Sequence, residues 1–261
     1  DSYSDHDDSI TGNTQMSASN VSTTTTPWAP YIRFIRHAYV EPGDTVTMKA
    51  DSAGNSYMTN FFKDAVNLET VDWTGINTNN VKGVHGMFYG CGSLKDVTFG
   101  TLDVAKVTDF ERMFMGCSSL ESVDISTFDV SNAESVMAMF KQCTSLKNIT
   151  FPAAFNSSAC KYFTDMFRDC TSMEELDLSM FSTPNALDMR TLVYNCTSLR
   201  SVNLSSFNTA SVTTMTHMFR QCYNLLEVNV PNFDLPKLTD AGEMFMHCQS
   251  LQRVTFGADM H

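Results

Sequence analysis

Nowhere in the 261 residues is there an apolar run of the ~18 residues that a membrane-spanning helix needs, so no membrane insertion is expected. Basic residues are scarce as well: 17 Lys and Arg stand against 29 Asp and Glu, a formal net charge of −12. Nucleic acid and anionic membrane surfaces both require basic patches, so neither is an expected partner. The motifs of several chemistries are also missing. There is no Cys-x-x-Cys pair of the kind zinc sites use, no His-Glu-x-x-His, no glycine-rich phosphate loop and no dinucleotide fingerprint. The six histidines support no Ser–His–Asp set. The chain is therefore read as a non-enzyme with no catalytic residues, no metal ligands and no cofactor. No signal peptide is visible, and an opening at Asp1 rather than Met suggests a mature or trimmed form.

Two regions differ in kind from the remainder. Residues 1–26 carry Asp, Ser, Thr and Asn with almost nothing to bury, the composition of a polar, acidic tail or arm. Residues 27–57 alternate apolar and polar positions on both sides of the turn signal Glu41-Pro42-Gly43-Asp44, which predicts a β-rich N-terminal cap built on a small hairpin.

What the chain has in abundance is repetition. Met-Phe recurs at Met87-Phe88, Met113-Phe114, Met139-Phe140, Met166-Phe167, Met218-Phe219 and Met244-Phe245, with Leu192-Val193 in the one missing place and Phe61-Phe62 extending the series backward. The step is 26 residues, except for one of 27 whose extra residue falls in Phe151–Phe155. Cysteines keep the same beat at Cys91, Cys117, Cys143, Cys170, Cys196, Cys222 and Cys248. So do Val71, Val97, Val123, Ile149, Leu176, Val202, Val228 and Val254. One unit cannot bury its apolar face alone, whereas a stack of eight can.

Within a unit the period switches. Val107, Phe110, Met113, Phe114 and Cys117 recur at intervals of three and four, which predicts a short helix. Val123 and Ile125 alternate, which predicts a strand. The expected fold is an α/β solenoid of about eight 26-residue repeats over 58–261, with a parallel β-sheet on one face and short helices on the other. The strand signature Leu120-x-x-Val123-x-Ile125, joined to Met-Phe-x-x-Cys-x-Ser-Leu, resembles the BspA-like family of bacterial surface leucine-rich repeats. The resemblance covers residues 58–261. It implies a leucine-rich-repeat solenoid, a secreted or cell-surface setting, and adhesion or protein binding rather than catalysis.

Stacked parallel strands lie ~4.8 Å apart, so equivalent residues form columns. One outward column reads Glu69, Lys95, Glu121, Lys147, Glu174, Arg200, Leu226, Gln252, with signs alternating over six repeats. A second reads Asp72, Thr98, Asp124, Thr150, Asp177, Asn203, Asn229, Thr255, in which no two Asp are neighbours. These columns form a candidate binding face for a protein or extracellular-matrix partner. Equally, alternating charge keeps a parallel stack in register and soluble, each cation between two anions, and self-neutralised charges leave little field for a ligand. Duplication of repeat pairs, with a 52-residue superperiod, would generate the same alternation.

The cysteine column permits three fates. Column spacing lies within disulfide range, but the side chains would point in parallel into the core and seven cannot pair completely. Buried structural thiols are favoured over bridging, and bridging over metal binding. The final repeat offers a candidate assembly end at Leu251, Arg253, Val254 and Phe256, where an uncovered edge strand invites pairing. The alternative function is accordingly a homopolymer, in which the N-terminal arm or cap of one copy docks on the last repeat of the next.

Overall fold

The computed structural model describes residues 31–40, 46–47, 54–77 and 80–256. The acidic tail at 1–26 and the turn at 41–44 lie outside the described residues. The strands in chain order are β1 (His37–Ala38), β2 (Val46–Thr47), β3 (Ser56–Tyr57), β4 (Thr70–Asp72), β5 (Ile76–Asn77), β6 (Val81–Gly83) and β7 (Asp96–Thr98). They continue as β8 (Ser122–Asp124), β9 (Asn148–Thr150), β10 (Glu175–Asp177), β11 (Ser201–Asn203), β12 (Glu227–Val230) and β13 (Arg253–Phe256).

Eight coils stack with a 26-residue offset, and β4 and β7 to β13 supply one strand per coil to a common face. Every pairing is parallel. Val71 lies beside Val97, Val123 beside Ile149, and Leu176, Val202, Val228 and Val254 follow one another in register. These mostly β-branched residues point inward while their neighbours face solvent, the alternation a half-buried strand requires. The ladder is not continuous: β4–β7, β8–β9 and β10 to β13 form separate sheets. The break between β9 and β10 falls beside the inserted residue of the Phe151–Phe155 loop.

The cap differs from the expected hairpin. Among the described residues its strands do not pair with one another; β1 runs parallel to β4, β2 to β5 and β3 to β6. The described residues 31–40, 46–47 and 54–57 thus lie on the first repeat as a partial layer. An exposed apolar end of a parallel stack is covered more completely by another parallel layer than by a free-standing hairpin, which is marginal by itself.

The larger correction concerns the second face, where no helix occurs among the described residues of the coils. The segment expected to be helical is a chain of β-turns. In the third coil Phe110 accepts from the N–H of Met113, Arg112 from Met115, Phe114 from Cys117, and Cys117 from Leu120. Two residues per coil are left-handed: Arg112 (φ 55°) and Gly116 (φ 79°) here, Asn60 and Asp64 in the first coil, Thr191 and Asn195 in the sixth. Each is the third residue of its turn, the position at which a type II turn needs positive φ. A left-handed residue other than glycine costs roughly 1–2 kcal/mol and prevents a helix from propagating. The offsetting gain runs between coils. The N–H groups of Phe110, Arg112, Phe114 and Gly116 donate to the carbonyls of Ser135, Met137, Met139 and Lys141 in the next coil, at 2.8–3.0 Å.

Between the two faces lies one continuous core. Phe88, Phe114, Phe140 and Phe167 stack nearly parallel, with neighbouring ring centroids 5.4–5.8 Å apart. Val193 interrupts this column, and Phe219 and Phe245 resume it at 5.1 Å. The cysteines form a second column of free thiols, all buried except the half-buried Cys248. Each thiol donates to a backbone carbonyl of the preceding coil: Cys91 to Phe62 at 3.0 Å, Cys117 to Phe88, Cys143 to Phe114, Cys170 to Phe140, Cys196 to Phe167, Cys222 to Val193 and Cys248 to Phe219. Burial pushes the Cys143 and Cys196 thiols up to about 12, so they stay protonated, as a donor must. These buried, unbridged thiols are small hydrophobes that also satisfy a carbonyl.

Two outcomes are expected for these thiols. A thiol-reactive probe applied to native protein should modify Cys248 first, and the other six thiols of the column only as the solenoid opens, which mass spectrometry of quenched samples would resolve. Cys143→Ala should lower stability by about 1–2 kcal/mol, through a small cavity and a lost bond to Phe114, in denaturant titration.

Candidate recognition face

The outward side chains of the strand face stand where the 26-residue period places them. Their partners are more selective than a uniform column requires. Lys95 Nζ donates to Glu69 at 2.7 Å and Lys147 Nζ to Glu121 at 2.8 Å, and Arg200 lies 3.9 Å from Glu174. Each cation therefore bonds the anion of the preceding coil rather than sitting between two. The pairs coincide with the ladders β4–β7, β8–β9 and β10–β11. Glu69 also accepts from Arg36 of the cap. The bonds from Lys95 and then Arg36 hold its carboxyl down at about 2, and Lys147 likewise lowers Glu121.

The second column is occupied by local work. Asp72 accepts the N–H of Thr74, Asp124 that of Ser126, Asp177 that of Ser179 and Asn203 that of Ser205, at 2.8–3.1 Å. These are Asx turns that end each strand, and the Ser126 hydroxyl and N–H bonds lower the Asp124 carboxyl. Thr98 and Thr150 are exposed between them.

A third outward column escapes a reading restricted to the first two: Thr70, Asp96, Ser122, Asn148, Glu175, Ser201, Glu227 and Arg253 open the strands. Near the last coils it joins the first column around a groove of about 620 Å³, lined by Glu175, Arg200, Ser201, Leu226, Glu227, Gln252 and Arg253. Leu226 is 41% exposed and takes the place where the charge alternation would have put an anion. Of the expected binding residues, Arg200 lines this groove, whereas Glu69, Lys95, Glu121 and Lys147 are tied into ion pairs well before it. The signal in the sequence was the lapse in alternation at Leu226.

At the expected assembly end, Leu251 and Val254 are half-buried, Arg253 pairs with Glu227, and Phe256 is exposed.

The turn face carries a second groove of about 500 Å³, lined by Lys63, His85, Arg112, Lys141 and Asp165 among others. Lys141 donates to Asp165 at 2.6 Å and Thr191 to its other oxygen at 2.5 Å. Burial pushes Asp165 up, but these bonds outweigh it and leave the carboxyl below its ordinary range. Beside this groove His85, Asp109 and Glu111 converge. Sequence spacing hides that trio, because it closes only when consecutive coils are superposed.

A stack of parallel coils with a 26-residue period and inward Leu-x-x-Val-x-Ile positions defines a leucine-rich-repeat-like solenoid. The chain belongs to the family described as Mycoplasma protein of unknown function, DUF285, whose model matches residues 56–175 and 161–256. A comparison with curated proteins found no match. Among solved structures the chain is similar to a leucine-rich-repeat protein of T. pallidum, at 19% identity and TM-score 0.37 over 83% of this chain and 81% of that one. It is also similar to one from Eubacterium ventriosum, at 16% identity and TM-score 0.39 over 90% and 76%. A third is a leucine-rich cell surface protein from Faecalibacterium prausnitzii, at 16% identity and TM-score 0.30 over 89% and 82%.

The ion pairs make a prediction about acid. A carboxyl held below its unfolded value adds stability that is present above the ordinary glutamate range, near 4.5, and lost as pH falls through about 2. In a carbon-detected NMR titration Glu69 should remain ionised to about pH 2. Lys95→Met should move its titration back toward the ordinary range without changing the fold.

Proposed function

We propose that the protein is a non-enzymatic leucine-rich-repeat protein of the BspA-like kind, secreted or displayed at a cell surface. It acts by binding a protein or extracellular-matrix partner through its strand face. The observation that carries this reading is Leu226: an exposed apolar side chain in a groove ringed by Glu175, Arg200, Glu227 and Arg253. An apolar centre with a polar rim is the usual anatomy of a protein interface. The charges of the earlier coils neutralise one another, so affinity there would be small, and titratable groups of this face are engaged in ion pairs and turn caps rather than poised for proton transfer.

The test is binding of the purified chain to immobilised extracellular-matrix proteins, followed by biolayer interferometry. Leu226→Glu should weaken any saturable interaction about 30-fold, the equivalent of roughly 2 kcal/mol. Lys147→Ala, on the self-neutralised part of the face, should change it less than about threefold. An interaction indifferent to Leu226→Glu would place the partner elsewhere on the molecule. Concentration-dependent sedimentation, abolished by Phe256→Lys and not by Leu226→Glu, would identify the partner as another copy of the chain.

A further inference from the structure

We infer that His85, Asp109 and Glu111 form a binding site for a divalent transition metal of the zinc class on the turn face of the second and third coils. The three side chains each present one donor atom, an imidazole nitrogen and two carboxylate oxygens, all within 4.8 Å of one another and half-buried. Zinc bonds nitrogen and oxygen at about 2.0–2.2 Å in a tetrahedron, which sets neighbouring donors about 3.4 Å apart. His85 Nδ1 and Asp109 Oδ2, hydrogen-bonded to each other, already stand 3.0 Å apart, and no donor of the set lies more than 4.8 Å from another.

Positioning of the ligands is firmer than that of a chance surface cluster. All three sit on the inter-coil backbone ladder: the N–H of Gly86 donates to the carbonyl of Glu111, Asp109 bridges to Ser135, and Phe110 donates to Ser135. Each carboxylate also has one oxygen tied down by an outer donor. Asp109 Oδ1 accepts the N–H of Glu111 at 2.8 Å, and Glu111 Oε1 accepts the Ser135 hydroxyl at 2.7 Å. That arrangement fixes orientation, as outer-shell partners do in metal sites, and leaves for an ion the second oxygen of Glu111 and, in exchange for its bond to His85 Nδ1, that of Asp109.

Charge gives the second argument. The pattern Asp109-x-Glu111 has a counterpart three coils later in Asp188-x-Arg190, where Arg190 closes on Asp188 at 2.6 Å and neutralises it. In the third coil a glutamate stands where that arginine would be. Among the described residues neither Asp109 nor Glu111 forms an ion pair with a lysine or arginine, and Asp109 pairs with His85. Two carboxylates brought together without a cation repel each other, and a bound cation removes that cost. The mixed imidazole–carboxylate set suits zinc better than calcium or magnesium, which prefer oxygen alone. His85 also lines the groove of about 500 Å³ on this face, so the cluster is open to solvent beside Lys63, Arg112 and Lys141.

The experiment is a calorimetric titration of Zn²⁺ into the full chain. One ion per chain is expected, with His85→Ala abolishing the binding and Ser135→Ala, which removes only a positioning hydroxyl, weakening it about 10- to 100-fold. In the unmodified protein, Zn²⁺ should shift the imidazole ¹⁵N resonances of His85 ahead of those of the other histidines, which settles the site even if His85→Ala fails to fold. Co²⁺ substituted for zinc should give a visible spectrum without a thiolate charge-transfer band. The absence of saturable binding, stoichiometry unchanged in His85→Ala, a thiolate band, or first perturbation of another histidine would each overturn the assignment.

Discussion

The backbone hydrogen bond between one coil and the next, made by the turn segment, is the contact on which the molecule depends. A buried peptide N–H or carbonyl must find a partner, and a helix would find it within the segment. Here the carbonyls accept from three residues ahead, while alternate N–H groups reach across to the following coil, as Phe88 does to Met113 and Phe140 to Met166. Two left-handed residues per coil aim them outward. Their strain, roughly 1–2 kcal/mol each for a non-glycine residue, is of the same order as the return of about 0.5–1.5 kcal/mol from each of four inter-coil bonds. The balance becomes favourable only with the phenylalanine and thiol columns buried behind them. No coil could hold this conformation alone.

That ladder dictates the chemistry available to the side chains. Strict periodicity sets like beside like at every level. In the core this is harmless: phenylalanine stacks on phenylalanine, and each thiol meets a carbonyl rather than another thiol's charge. On the surface it is costly, because a column of one sign repels itself. Alternation of Glu69, Lys95, Glu121 and Lys147 resolves the conflict and spends the charges in doing so. The pattern lapses at Leu226 on the strand face and at Glu111 on the turn face, and the two proposed sites are built on those lapses.

The same logic explains which features could be read in the sequence. The 26-residue period, the inward strand positions, the thiol column and the outward charges were all legible, since each depends on spacing alone. The turn segment was misread as helix because β-turns linked every three or four residues place Val107, Phe110, Phe114 and Cys117 on one side just as a helix does. Gly86, Gly90, Gly116, Asn60 and Asp64 hint at left-handed backbone, but Arg112, Ala138, Thr191 and Glu243 occupy equivalent positions and conceal it. The cap strands carried a hairpin signal because alternation says nothing of which neighbour a strand will choose. The His85, Asp109 and Glu111 cluster required superposing coils, and the Leu226 groove required knowing that a third column faces outward.

The two faces divide the labour of holding the stack together. On the strand face the ladder is broken twice, between β7 and β8 and between β9 and β10. On the turn face it runs through every coil, including the one that carries the insertion: Gln142 donates to Arg168 across the 27-residue step at 2.8 Å, as Gly116 does to Lys141 across an ordinary one. Because contacts in a solenoid pass only between neighbours, one unbroken spine is enough to keep the coils in register. The strand face is thereby released from a structural duty that would otherwise demand uniformity. It can absorb an extra residue at Phe151–Phe155, and it can place a leucine among charges, without unseating the coils on either side.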